Sequence, residues 1–267
     1  MMNLFRSELF RVRKRTQSWS LLVILVALEV LLYGIMVIVN FASSDPTNVK
    51  ENIQLPKIYD TGLIIVGLAG TILAIIFGSS ILGSEYGWNT LRPMLARAKS
   101  RSSFLTAKWL TVGLYTLVLV VVGVVGTMLA SVVASLIVGE GAGVSGSTFV
   151  DAIAYSSRFF IGIFPYAALA MLLAVVTRSN TAGIAIAIAL NLLEPAIFGL
   201  LGALSDVFHT VEKGGLSWNS NRVASYGGDN NITSTQALES AGVILIYIVV
   251  FVIISYRVFD KRDVTSG

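Results

Sequence analysis

A chain of 267 residues with 55% hydrophobic and 13% charged side chains carries about half the charge of soluble domains, where Asp, Glu, Lys and Arg make up roughly 25%. With a mean hydropathy of +0.80, it reads as an integral membrane protein without a polar block large enough for a soluble catalytic domain. The net charge of +4 is explained by topology rather than by nucleic acid, and the absence of cysteine excludes disulfides and thiolate metal sites.

Residues 1–18, MMNLFRSELFRVRKRTQS, come first. At about 100° per residue, Met1, Phe5, Leu9 and Val12 share an arc while Arg6, Arg13 and Lys14 lie away from it, the pattern of an amphipathic helix on the membrane surface. The alternative is a basic tail that only fixes topology. The apolar run 19–41 is too long for a signal-peptide core and has no small-residue cleavage site after it, so it is expected to be retained as the first span.

Further spans are predicted at 58–84, 109–138, 152–176, 181–207 and 239–256, each compatible with the roughly 20 residues that cross a bilayer. The fifth is expected to break at Glu194-Pro195, because proline removes a backbone hydrogen bond, with 196–208 either a re-entrant outer hairpin or the rest of a kinked span. Lys and Arg are asymmetric. Fourteen fall with the termini, the 85–108 loop and the 177–180 turn that carries Arg178, and five (Lys50, Lys57, Arg158, Lys213 and Arg222) fall opposite. The expected arrangement is therefore all-α, six spans, both termini and a 258–267 tail in the cytoplasm.

Four intramembrane features stand out. Glu29, about mid-span, is either a functional ionisable group or a protonated carboxyl bonded to a neighbouring helix. Asn191 and Glu194 interrupt the fifth span, and Arg158 is expected to snorkel to outer headgroups. Gly123, Thr127, Ser131 and Ser135, spaced by four, form a small-residue stripe suited to helix packing.

The loop 85–108, EYGWNTLRPMLARAKSRSSFLTAK, joins the second and third spans. Leu91, Met94, Leu95 and Ala98 recur at helical spacing, so a helix over 90–98 would have one apolar and one basic edge, able to enter a groove on a partner. Asn89 is read as its N-cap, and Pro93 is tolerated in its first turn. Glu85 is expected to pair with Arg92 or Arg101.

In this loop Glu85-Tyr86, Thr90-Leu91-Arg92, Leu95-Ala96-Arg97, Ser100-Arg101, Phe104-Leu105 and Ala107-Lys108 resemble the permease subunits of type-2 ABC exporters. Asn89 stands where such permeases often carry glycine. The resemblance implies a cytoplasmic coupling helix and a second permease copy, as homodimer or heterodimer. It also implies nucleotide-binding ATPase subunits, with Glu85, Thr90, Leu91, Arg92, Leu95, Arg97 and Arg101 at the ATPase interface. The multi-pass chain would sit in a bacterial inner or plasma membrane among lipids, without nucleic acid. None of the seven lysines follows glycine, so no P-loop lies within these residues. ATP would be bound by the partner, no cofactor or metal by this chain, and the chain itself would not be an enzyme. His209, the single histidine, lies in an outer loop and offers no HExxH site. The competing reading is an autonomous secondary transporter or channel using Glu29 and Glu194.

Overall fold

Helix formation follows directly from the solvent: apolar segments in lipid must satisfy every backbone N–H and C=O internally. In the computed structural model the described residues are 2–42, 58–97, 100–139, 144, 146–202, 210–227 and 232–261, with residues 2, 58–63 and 97 described in their backbone alone. Their elements are α1 (Met2–Lys14), α2 (Thr16–Ala42), α3 (Ile58–Gly87), α4 (Leu91–Arg97), α5 (Arg101–Val138), α6 (Thr148–Thr177), α7 (Asn180–Gly202), α8 (Leu216–Ala224) and α9 (Ser234–Lys261). Six of these, α2, α3, α5, α6, α7 and α9, are long and apolar enough to cross a membrane. The protein is an all-helical, multi-pass membrane protein. Ala98, His209, residues 203–208 and the tail after Lys261 lie outside the described residues.

The bundle is built around α3 and α6, whose apolar windows are mostly buried, while α2, α7 and α9 leave theirs mostly uncovered. The two central helices approach closely: a Cβ built on Gly78 of α3 would stand 2.3 Å from the Ala167 carbonyl oxygen of α6. Glycine is what permits that crossing. We expect Gly78→Val to lower stability by about 1–3 kcal/mol through overpacking, read as a fall in the unfolding midpoint in detergent. Gly34→Ala, with nothing within 4 Å of the added carbon, should leave the midpoint nearly unchanged.

α5 is the longest element, 38 residues and therefore about 57 Å at 1.5 Å per residue. It begins at Arg101 rather than Trp109, because Ser100 caps it by accepting a hydrogen bond from the Ser103 amide at 3.1 Å. The stripe Gly123, Thr127, Ser131 and Ser135 is buried, and Gly123 packs within the subunit against Val66 of α3 and Leu25 of α2.

One expectation fails in the second half of the chain: α7 runs as one helix through Glu194 and Pro195 to Gly202. Proline lacks the amide that would bond back one turn and crowds the preceding turn, and the hydrogen bonds of neighbouring residues carry the helix past it. The choice between hairpin and span for 196–208 falls mainly on 203–208, outside the described residues. α8 packs against α6, α7 and α9. The Ser220 carbonyl oxygen of α8 lies 3.1 Å from where a Cβ on Gly162 of α6 would be.

Candidate functional site

The end of the bundle carrying α1, α4 and the close of α9 concentrates the charge. Lys108, one of the largest fully buried side chains, faces α3 and α1 from α5. Its ammonium donates to Glu8 Oε2 at 2.7 Å, to the Ile81 carbonyl at 3.1 Å and to Glu85 Oε1. Arg11 closes the cluster, 2.9 Å from Glu8 Oε1 and 3.5 Å from Glu85 Oε1. The carboxylates of Glu8 and Glu85 are 6% exposed and the Lys108 side chain 1%. Pairs buried to that depth hold only when the charges balance, since each ion has lost its hydration.

Arg15, at the junction of α1 and α2, extends the cluster. It donates to the Ser84 hydroxyl and to the Ser80 carbonyl at 3.4 Å, and its guanidinium stacks 5.4 Å from the Trp88 ring centre. Burial lowers its pKa and the nearby Glu85 and Glu8 raise it again, so the guanidinium stays charged. Gln17 bonds the Ser80 hydroxyl at 2.8 Å, and Ser79 and Ser80 reach Asn180, the first residue of α7, at 2.9 and 3.2 Å. Five segments are thereby tied together: α1, the start of α2, the end of α3, the start of α5 and the start of α7.

α4 is hung from this brace by a defined turn. Thr90 N–H donates to the Glu85 carbonyl at 3.1 Å and Asn89 N–H to the Tyr86 carbonyl at 3.2 Å, with Asn89 at φ 54°. This is the Schellman closure of α3. Asn89 is thus the left-handed residue ending α3 rather than the N-cap of the next helix. Asparagine is one of the few residues besides glycine that tolerates that conformation. Thr90 occupies the cap position, its carbonyl accepting the Met94 amide at 3.3 Å, while its hydroxyl oxygen is buried without a hydrogen bond.

The apolar edge of α4 faces inward. Leu91 is 4% exposed within the chain's own core, and Met94 and Leu95 are half-buried against it. The ridge is therefore turned toward the chain's own core at Leu91, with Met94 accepting from Arg11 of α1 at 3.2 Å, because burial removes apolar carbon from water; Ala98, its last member, lies outside the described residues. What remains exposed is Arg92, Pro93 and Ala96, with Trp88 beside them at 68%. Arg97 belongs to α4, with only its backbone described. The cations found on Glu85 are Lys108 and Arg11, and Arg101 reaches the Asp260 carbonyl of α9 at 3.4 Å.

The remaining candidates lie deeper. Glu29 is buried between α2 and α5. Glu194 accepts a hydrogen bond from the Ser217 amide at 3.1 Å, so its carboxylate sits on the first turn of α8, where the helix dipole favours it. Asn191 joins Glu194 and Ser220 around Tyr166, and Tyr247 bonds the Gly214 carbonyl at 2.9 Å. Arg158, half-buried, bonds the Tyr226 carbonyl between the rings of Tyr155 and Tyr226, 5.2 and 4.9 Å away, so two aromatic faces and a carbonyl hold the cation. Glu194→Ala should cost about 1 kcal/mol by stripping this helix end, whereas Glu194→Gln keeps an acceptor and should cost less. Unfolding midpoints of the two variants check the order.

Glu8 and Lys108 are the members that sequence reasoning passed over. A signal was present: Glu8 is the sole acid before Glu29 and falls on the arc of Phe5 and Val12, and a carboxylate on an apolar face demands a partner.

A family model described as a protein of unknown function (DUF2705) matches residues 21–265. No curated protein matches the chain.

Proposed function

The chain belongs to the DUF2705 family, a family of unknown function; from its own residues and their geometry we propose that it is the permease subunit of an ATP-driven ABC exporter. It would couple to separate ATPase subunits through the 85–108 loop. The observation that supports this most is the brace beneath α4. Leu91 fixes α4 to the core, and Glu85 and Lys108, on the helices entering and leaving the loop, bond one another and Glu8. A push on α4 would then move α3, α5 and α1 together rather than bend a loose loop. The exposed Trp88, Arg92, Pro93 and Ala96 present an aromatic and cationic surface to a partner. ATP would enter through that partner, since no lysine of these residues follows a glycine. A second permease copy would complete the path in a bacterial inner or plasma membrane.

Two experiments test this. Lys and Arg asymmetry puts α4 and both termini in the cytoplasm, so Ser102→Cys should resist labelling from outside intact cells while Ser234→Cys is labelled. Both positions are exposed, and the chain has no cysteine of its own. In proteoliposomes, ATP hydrolysis by a candidate partner P-loop ATPase should rise when the chain is present. Inverted labelling, or transport by the chain alone, would defeat the exporter reading. Transport by the chain alone would favour the secondary transporter, for which the supporting observation is the unpartnered buried Glu29. Glu194 fits that role less well, being committed to α8.

A further inference from the structure

The contact between α2 and α5 gathers buried oxygen atoms that the exporter reading does not use. Glu29 lies about 20 Å along α2 from Thr16, taking 1.5 Å per residue. Tyr33 follows one turn on, on the same face, and its hydroxyl faces both Glu29 and Thr127 of α5. Glu29 is 1% exposed, Tyr33 3% and Thr127 0%. The carboxyl lies flat on the α5 backbone: a Cβ on Gly126 would come within 2.0 Å of Glu29 Oε2, so glycine at that position makes room for it.

Both Glu29 carboxyl oxygens are buried without a hydrogen bond, and the buried Tyr33 and Thr127 hydroxyls have at most one another as partners. Among the described residues no basic side chain pairs with Glu29. Four oxygens in that condition, at hydrocarbon depth, are costly unless something satisfies them, and an intramembrane carboxylate is a functional feature by default.

We propose that Glu29, Tyr33 and Thr127 bind a small monovalent cation, sodium. Charge decides the valence: one carboxylate balances one positive charge, whereas a divalent ion would leave an uncompensated charge in the bilayer. Ligand type decides the chemistry, since carboxylate and hydroxyl oxygens suit hard cations and the site holds neither nitrogen nor sulfur. A proton on Glu29 would turn the carboxyl into a donor for a single hydrogen bond and would not draw the Tyr33 and Thr127 oxygens onto one centre. Sodium accepts lone pairs from all four oxygens and pins α2 to α5. The inference does not rest on the exporter reading, because binding is read on the isolated chain without ATPase or cargo.

The test uses the purified full chain in detergent, with sodium chloride against choline chloride at equal ionic strength. Sodium at about a hundred times its dissociation constant should raise the unfolding midpoint by about 5–10 °C, and radioactive sodium should bind with a stoichiometry of one per chain. Glu29→Gln should abolish both responses. Tyr33→Phe and Thr127→Val, which remove a ligand without touching the carboxylate, should each weaken sodium binding roughly tenfold, the effect of one lost hydrogen-bond-scale contact. A wild-type midpoint indifferent to sodium overturns the proposal, as does an equal response in Glu29→Gln. A midpoint that rises on acidification without any response to sodium assigns the site to a proton and overturns it too. If Glu29→Gln does not fold, the Tyr33 and Thr127 variants decide: unchanged sodium affinity in both defeats the site.

Discussion

Lys108→Met should be among the most damaging single substitutions in the chain, lowering stability by about 3–5 kcal/mol. The methionine fills nearly the same volume, so packing is not the cause. Removing the ammonium leaves Glu8 and Glu85 as buried carboxylates with Arg11, 45% exposed, as the remaining member of the quartet. The Ile81 carbonyl also loses its donor. A charge-balanced variant separates electrostatics from shape. Glu85→Gln added to Lys108→Met removes one charge of each sign and leaves Glu8 paired with Arg11, and that double variant should recover much of the lost stability, since a neutral replacement of a buried ion pair is often close to neutral. Unfolding midpoints and yield of folded protein in mild detergent measure both. A double variant as unstable as Lys108→Met alone would mean that Lys108 acts through packing and that the ionic account of the brace is wrong.

The contrast between Lys108 and the spans shows what a linear sequence can carry. Hydropathy is local, so the six spans are readable from runs of Leu, Ile, Val and Ala, and the described residues of each are helical. The ends move where local chemistry intervenes, at the Ser100 cap and at the turn closed by Asn89. Pro195 misleads because its lost hydrogen bond and local crowding are set against the many other bonds of α7. The brace is the harder case. Lys108 meets Glu8 across 100 residues of sequence and Glu85 across 23, and no periodicity encodes a partner so distant. Arg158 and Glu194 repeat the lesson: each is a charge in a hydrophobic run, and each finds its partner on or beside α8, an element whose LSWNSNRVA sequence reads as a polar loop. The direction of α4 was equally hidden. An amphipathic seven-residue helix specifies that one edge is apolar but not whether that edge meets its own chain or another.

That direction changes which residues should couple to an ATPase. Trp88→Ala combined with Arg92→Ala should leave the unfolding midpoint close to wild type and abolish stimulation of ATP hydrolysis. Both residues lie on the exposed surface of the turn and α4, where truncation creates no cavity, and loss of the stacking of Arg15 on Trp88 costs only about 0.5–1 kcal/mol at an exposed site. Tryptophan and arginine are the residue types that dominate interface energetics, at about 2 kcal/mol or more each when they are buried by a partner. Losing the two together should weaken assembly by about two to three decades. Leu91→Ala behaves differently. It empties a core position and should cost about 2–5 kcal/mol of the chain's own stability, so any loss of coupling follows from loss of fold. Measuring the midpoint and ATPase stimulation side by side distinguishes the two. A Trp88/Arg92 variant that still stimulates hydrolysis fully, beside a Leu91→Ala variant that is stable yet uncoupled, would return the docking edge to the leucines and require α4 to rotate out of the core when the partner binds.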